Sequence, residues 1–116
     1  MKIFVMLPLR TVSGANMREH WSAKAKRAKL HRSTARMMLT LDKKWCAKQN
    51  HFDVRITRIA PKKLDSDNLA ISNKAIRDGI ADAIGIDDGS NKFSWEYRQE
   101  SGRPKEYAVR VEINIT

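Results

Sequence analysis

Residues 51–88, HFDVRITRIAPKKLDSDNLAISNKAIRDGIADAIGIDD, decide the fold. Phe52, Val54 and Ile56 alternate with polar neighbours, which is the two-residue period of a half-buried strand. Pro61 has no N–H for a ladder and ends that strand. The period then changes. Leu69, Ile76, Ile80, Ala83 and Ile84 fall on one stripe of a 3.6-residue repeat. The spacing predicts a helix from about Asn68 to Ile84, with Gly85 as its C-terminal stop.

Working outward, KIFVML at 2–7 reads as a first strand, and VSGANMRE turns into a long helix. Asn16 with Glu19 three residues on has the form of a capping box, and neither Gly nor Pro follows until Pro61. This helix is expected from Met17 to about Trp45. Met17, Trp21, Ala25, Ala28, Ala35 and Leu39 recur at helical spacing and are expected in the core, while Arg18, Ser22, Lys26, Lys29, Ser33 and Arg36 form a separate stripe. Downstream, Phe93, Trp95 and Tyr97 alternate, as do Tyr107, Val109, Val111, Ile113 and Ile115. These two runs are expected to pair as a hairpin with SGRP as its turn. The order β-α-β-α-β-β predicts an α/β (α+β) fold with a small mixed sheet and helices packed on one face.

The chain has 116 residues, which is one domain's length, and a chain of that size buries roughly two thirds of its unfolded surface. A single domain over 1–116 is expected. Cys46 is the one cysteine, so the chain builds no disulfide framework and suits a reducing cytoplasm. The apolar IFVMLPL is too short and too interrupted by Pro8 for a signal core, and no run approaches the ~20 residues of a membrane span. A cytoplasmic protein with no membrane partner is expected.

The net charge is +10 and is unevenly placed. Residues 1–50 hold 12 Lys and Arg against Glu19 and Asp42, whereas residues 51–116 hold 11 against 11. Between Glu19 and Asp42 lie six basic residues and no acid. That is the footprint of a polyanion binder, with Arg18, Lys26, Lys29 and Arg36 as candidate contacts to a nucleic-acid backbone. A solvated helix face is the plainer alternative.

Against this background, residues 64–88 hold six carboxylates and only Lys74 and Arg77 as cations. Asp65 and Asp67 stand two apart where the strand ends, and extended backbone sends both side chains to one side. Asp87 and Asp88 return after one helix and a turn. Two carboxylates ~4 Å apart repel by ~4 kcal/mol at an effective dielectric of 20, so converging acids need a cation or a raised pKa. Oxygen-only donors without a His or Cys pair suit Mg²⁺ or Mn²⁺ rather than zinc. The spacing is not that of an EF-hand, since Ala70 and Ile76 stand where its Gly and Glu belong. The structural alternative is that Asp65 to Asn68 cap a helix and that Asp88-Gly89 is an ordinary turn.

The arrangement DSDNL, a helix carrying Lys and Asp on one face, then DD before a strand, resembles the RusA-type Holliday-junction resolvases, particularly their phage and prophage members. The opening strand ending in LPL, the REHW segment with its basic helix, and WEYRQESGRPKEYAVRV extend the resemblance over nearly the whole chain. It implies a small α/β homodimer that binds four-way DNA junctions in recombination and repair. With Mg²⁺, for which Mn²⁺ can substitute, such an enzyme nicks two opposed strands. The compartment implied is the cytoplasm of a bacterial or phage-infected cell. By position, Asp65 and Asp67 match the two acids of the family motif, and Asp88 matches the later essential acid with Asp87 beside it. These are the implied metal ligands and catalytic acids. The family lysine falls one turn after the second acid, where this chain has Ile71, and Lys74 is the nearest. Lys74 has two roles open to it, a contact to substrate phosphate or an i,i+4 pair with Asp78. His20 and His31 read as phosphate contacts or surface residues. A non-catalytic nucleic-acid-binding module and a nuclease for other branched DNA are the remaining readings.

Overall fold

A computed structural model describes residues 2–12, 21–40 and 51–116. Its elements are β1 (Lys2–Leu7), α1 (Trp21–Thr40), β2 (Phe52–Ala60), α2 (Ser66–Ser72), α3 (Lys74–Ile84), β3 (Phe93–Ser101) and β4 (Ala108–Ile115). The four strands form one mixed sheet in the order β1-β4-β2-β3. With the three helices, this makes a compact α+β fold.

The alternation expected for β2, β3 and β4 sorts the two sheet faces. Leu7, Val111, Ile56 and Phe93 belong to the buried face, and the helices share its core through Ile76, Ile80, Ile84, Ala35 and Leu39. Each buried Ile or Leu of this kind contributes about 1.5–3 kcal/mol. The opposite face carries charged pairs, Arg55 with Glu96 across β2 and β3, Arg98 with Glu96 along β3 and Arg110 with Glu112 along β4, and exposes Phe4 and Met6 of β1.

The expected hairpin is not formed. β3 pairs in parallel with β2, and β4 pairs antiparallel with β2 on its other edge, so β2 separates the two strands that sequence alternation suggested as partners. The physical reason lies in composition and loop length. Val109, Val111 and Ile113 of β4 are fully buried, which suits an inner strand. β3 interleaves Ser94, Glu96 and Arg98 and sits at the edge. Residues 102–107, starting with a bond from the Gly102 N–H to the Ala60 carbonyl at 2.8 Å, carry the chain over the end of β2. Six residues reach about 20 Å, ample for two strand spacings.

Two helices occupy the span where one was expected. α2 begins at Ser66, earlier than Asn68, because Asp65 caps it with Oδ1 accepting from the Asn68 N–H at 3.0 Å. Asp67 is therefore in a first helical turn rather than in extended backbone. The break falls at Asn73, fully buried at φ −100° and ψ 2°, whose Nδ2 donates to the Leu69 carbonyl at 3.0 Å. The predicted stripe is buried at Leu69, Ile76, Ile80 and Ile84, and Gly85 ends α3 at φ 81°.

α1 departs most from expectation. Ala35 and Leu39 are buried as expected, but Trp21 is 75% exposed and Ala25 and Ala28 are exposed too. The contacts of α1 with α3 at Arg32 and Ala35 lie in its second half, where the buried residues of the helix fall. His31 joins the buried stripe at i, i+4, i+8 with Ala35 and Leu39, which corrects its reading as a surface or phosphate-contacting residue. Burial, with Arg27 adding to it, holds its pKa below the ordinary imidazole value. The expected helix limits at Met17 and Trp45, and with them Asn16, Arg18, Glu19 and His20, lie outside the described residues.

An ion pair fastens the crossing, with Arg32 Nε and Nη2 donating to the two oxygens of Asp82 at 2.6 and 2.9 Å. The hydrogen bond from Arg32 holds the Asp82 carboxyl below its ordinary value against the opposing effect of burial. A depressed folded-state pKa contributes stability that is complete above the unfolded value of about 3.9 and is lost as pH falls through the folded value. Denaturant titrations should show Asp82→Asn destabilised at pH 6, with its difference from wild type shrinking as pH falls below the unfolded value of about 3.9. A difference that persists unchanged in acid would show that Asp82 acts through packing rather than charge.

Candidate active site

The acids of residues 64–88 divide into two groups on the helix side of β3. Gln99 of β3 holds Leu64 by both its backbone groups, its amide donating to the Leu64 carbonyl at 2.7 Å and accepting the Leu64 N–H at 3.0 Å. This fixes the chain just before Asp65. Trp95, four residues back along the same face, donates from Nε1 to the Asp88 carbonyl at 2.9 Å. Residues four apart on a strand are about 13 Å apart, so these anchors set Asp65 and Asp67 at one station and Asp88 at another.

Asp65 and Asp67 are exposed and have no ion-pair partner among the described residues. Asp65 uses one oxygen for the helix cap. Most other acids are partnered. Among the described residues Asp53, Asp78, Asp82, Asp88, Glu96, Glu100 and Glu112 each have a basic neighbour, and Asp65, Asp67, Asp87 and Glu106 do not. In a chain of net charge +10, two unpaired acids at the first turn of one helix are a feature the fold leaves uncompensated.

Asp88 is the opposite case. Its Oδ2 accepts from Lys74 Nζ at 3.2 Å and Arg77 Nε at 3.0 Å, and its carbonyl also takes Arg77 Nη2 at 3.2 Å. The hydrogen bond from Lys74, aided by the charges of Lys74 and Arg77 and opposed by burial, holds the Asp88 carboxyl below its ordinary value. Lys74 also donates to Asp78 Oδ1 at 2.7 Å, and this bond is the main reason its ammonium is held above the ordinary lysine value. The i,i+4 pair expected of Lys74 and Asp78 is therefore present, and Lys74 reaches Asp88 as well. Oδ1 of Asp88 has no protein partner among the described residues.

Arg77 is the residue that sequence reasoning passed over. Its guanidinium lies 4.6 Å from the centre of the Trp95 ring and donates to the Tyr97 hydroxyl at 3.2 Å. It is one of the two cations in the acidic stretch and stands one turn from Lys74, so a signal was present. Its partners Trp95 and Tyr97 come from a strand that sequence alone does not place.

The basic helix meets the acids in a groove between α1 and the C-terminal end of α3. Arg32 and Arg36 line one side, and Asp78, Asp82, Asp87 and Asp88 the other. Lys26 and Lys29, exposed on α1, continue the stripe outward from Arg36 at helical spacing. Arg18 lies outside the described residues. Asp87 accepts from the Gly89 N–H at 3.1 Å and has no cation partner among the described residues.

The donor chemistry fits a hard divalent cation. Asp67 has both oxygens available and Asp65 has one, whereas Asp88, expected beside them from the sequence, is held at the other station with its Oδ2 on Lys74 and Arg77. Among the described residues, no three His, Cys, Asp or Glu side chains are gathered as a metal-holding group. Mg²⁺ is commonly held by one or two carboxylates together with substrate phosphates, which Asp65 and Asp67 can supply. No described helix is long and apolar enough to cross a membrane. No family model and no curated protein matches the chain.

Proposed function

We propose that this chain is a structure-specific endodeoxyribonuclease that resolves four-way DNA junctions as a homodimer, by Mg²⁺-dependent hydrolysis of phosphodiester bonds in two opposed strands. The observation that carries this reading is the unpaired state of Asp65 and Asp67 in a strongly basic protein. Its further support is the groove where the basic stripe of α1 meets Asp87 and Asp88, and the resemblance of DSDNL and its following DD to the RusA-type resolvases.

Asp65 and Asp67 are the groups that hold the cation, together with a substrate phosphate, and Mn²⁺ substitutes for it, while Asp88 stands at its own station beside Lys74 and Arg77. When bound, the cation supplies a water of lowered pKa and stabilises charge on the phosphate and the leaving oxygen. Lys26, Lys29 and Arg36 take the DNA backbone, and the salt-dependent part of affinity resides there. Lys74, kept protonated by Asp78 and Asp88, presents a fixed positive charge beside the acids. Arg77 does the same from the Trp95 face. A dimer supplies two equivalent sites for two equivalent strands, the simplest match to a two-fold substrate.

The test is a synthetic four-way junction incubated with and without Mg²⁺, with products sized on both strand pairs. Paired nicks only in the presence of metal are expected. One observation favours a second reading, a non-catalytic nucleic-acid-binding module: Lys74 and Arg77 already neutralise Asp88. Junction binding without nicking in either Mg²⁺ or Mn²⁺ selects that module. Preferential cutting of flaps or forks in competition with junctions selects a nuclease for other branched DNA.

A further inference from the structure

β1, β2 and β3 run in one direction, because β1 and β2 each pair antiparallel with β4 and β3 pairs in parallel with β2. Their carboxyl ends therefore share one end of the sheet, the end at which open α/β sheets commonly bind ligands. Arg58 lies there on the buried face of β2, in register with Val109 and Gln99, and is only 7% exposed. A buried guanidinium ordinarily has a carboxylate beside it. Arg58 has none among the described residues.

Its partners are neutral. Nε donates to the Thr11 hydroxyl at 3.1 Å, and Nη1 donates to the Lys62 carbonyl at 2.6 Å. A guanidinium has five N–H groups, so most of its donor capacity, including all of Nη2, is unused by the described residues. The charged neighbour that acts on it is of like sign. Arg10 stacks with its Cζ 4.2 Å from the centre of the Tyr107 ring and also has no carboxylate partner among the described residues. Burial pushes the Arg58 pKa below the ordinary guanidinium value, Tyr107 opposes this and Arg10 adds to it. It nevertheless remains charged at neutral pH. Lys62, Lys63, Arg103 and Lys105 flank this end of the sheet, against Asp65 and Glu106.

We propose that Arg58 and Arg10 form a receptor for a phosphate group of the DNA backbone, next to Asp65 and Asp67. The inference deepens the function proposed above and rests on it. Two guanidiniums with spare donors and no counter-ion among the described residues need an anion with several acceptor oxygens, and phosphate matches a guanidinium fork by two parallel hydrogen bonds. Position favours the backbone. Gln99, whose backbone lies one strand spacing, about 4.8 Å, from that of Arg58, is the residue whose side chain holds Leu64, so a single side chain links the receptor to the residue before Asp65. A strand of DNA whose phosphate sits on Arg58 is thereby led to the acids.

The test uses the full ¹⁵N-labelled chain titrated with inorganic phosphate against chloride at matched ionic strength. A saturable shift of the Arg58 Nε–H resonance by phosphate alone is expected, together with a rise in melting temperature. The rise in melting temperature should be lost in Arg58→Lys, which keeps the charge but not the fork, and both responses should be strongly weakened in Arg10→Gln. Arg10 is exposed, so the latter variant tests the receptor even if the former does not fold. On junction DNA, Arg10→Gln should reduce the salt slope by about 0.9 logarithmic units, the value of one phosphate no longer neutralised. An unmoved Arg58 resonance, or equal phosphate responses in wild type and Arg10→Gln, overturns the receptor. Intact metal-dependent nicking with no phosphate response overturns the receptor alone. A phosphate response without junction binding overturns the backbone assignment and the nucleic-acid reading on which it rests.

Discussion

Asp67→Asn should abolish junction nicking, by about a thousandfold or more, while junction binding stays the same or tightens. Removing one of two carboxylates from a Mg²⁺ site forfeits several kcal/mol of transition-state stabilisation, and ~4 kcal/mol corresponds to about three orders of magnitude in rate. Binding moves the other way, because one less negative charge faces the phosphates. Asp67 suits this experiment because the fold makes no use of it. It is exposed with no partner among the described residues, so its loss removes only a favourable acid in a first helical turn, worth about 0.3–1 kcal/mol. Asp88→Asn is a poorer probe, since it also strips Lys74 and Arg77 of the carboxylate that holds them. Asp87→Asn should be milder than either. Rates at saturating DNA, melting curves with and without Mg²⁺, and salt-matched binding separate chemistry from folding. An active Asp67→Asn protein would remove Asp67 from the metal site and leave the acids as a capping arrangement.

The contrast between those acids shows which features were legible in the sequence. Local periodicity was readable wherever the fold obeys it. Leu69, Ile76, Ile80 and Ile84 share a stripe, and all four are buried. Lys74 and Asp78 could be paired from spacing alone, because i and i+4 on one helix are neighbours whatever surrounds them. Long-range partners were not readable. Alternation in β3 and β4 states that each has two faces but not which strand lies beside it, so a hairpin was expected where β2 intervenes. Trp21 fails for a related reason. A helical stripe reports which residues share a side, and whether that side is covered depends on how far α1 overhangs α3. Arg77 meets Asp88 only because residues 85–88 fold back along α3, which no local pattern encodes. Arg58 is the clearest case. Inside an apolar alternation it reads as an ordinary polar interruption, and only the register beside Gln99 and the loop after Ala60 reveal a buried cation.

Gly79→Ala should destabilise the fold by about 2 kcal/mol, although alanine is the better helix former. In an exposed helix interior the change would gain roughly 0.8–1.0 kcal/mol of propensity. Gly79 is buried where α3 meets α1, and a Cβ there would press on the Arg32 backbone carbonyl and lie 2.9 Å from the Ala35 Cβ. The helices must separate. Overpacking of this kind costs about 1–3 kcal/mol even while the surrounding core stays closed, and here Ile76 and Ile80, both fully buried, stand beside the seam. Separation also lengthens the Arg32 to Asp82 pair and displaces Arg36 from the groove. Junction binding should therefore weaken along with stability. Ala35→Gly offers a discriminating partner. It removes one obstacle but not the carbonyl, so the double variant should recover little of the loss in a denaturant titration. Full recovery would place the conflict between side chains, and a Gly79→Ala protein as stable as wild type would show that α1 does not rest on α3 as closely as Gly79 allows.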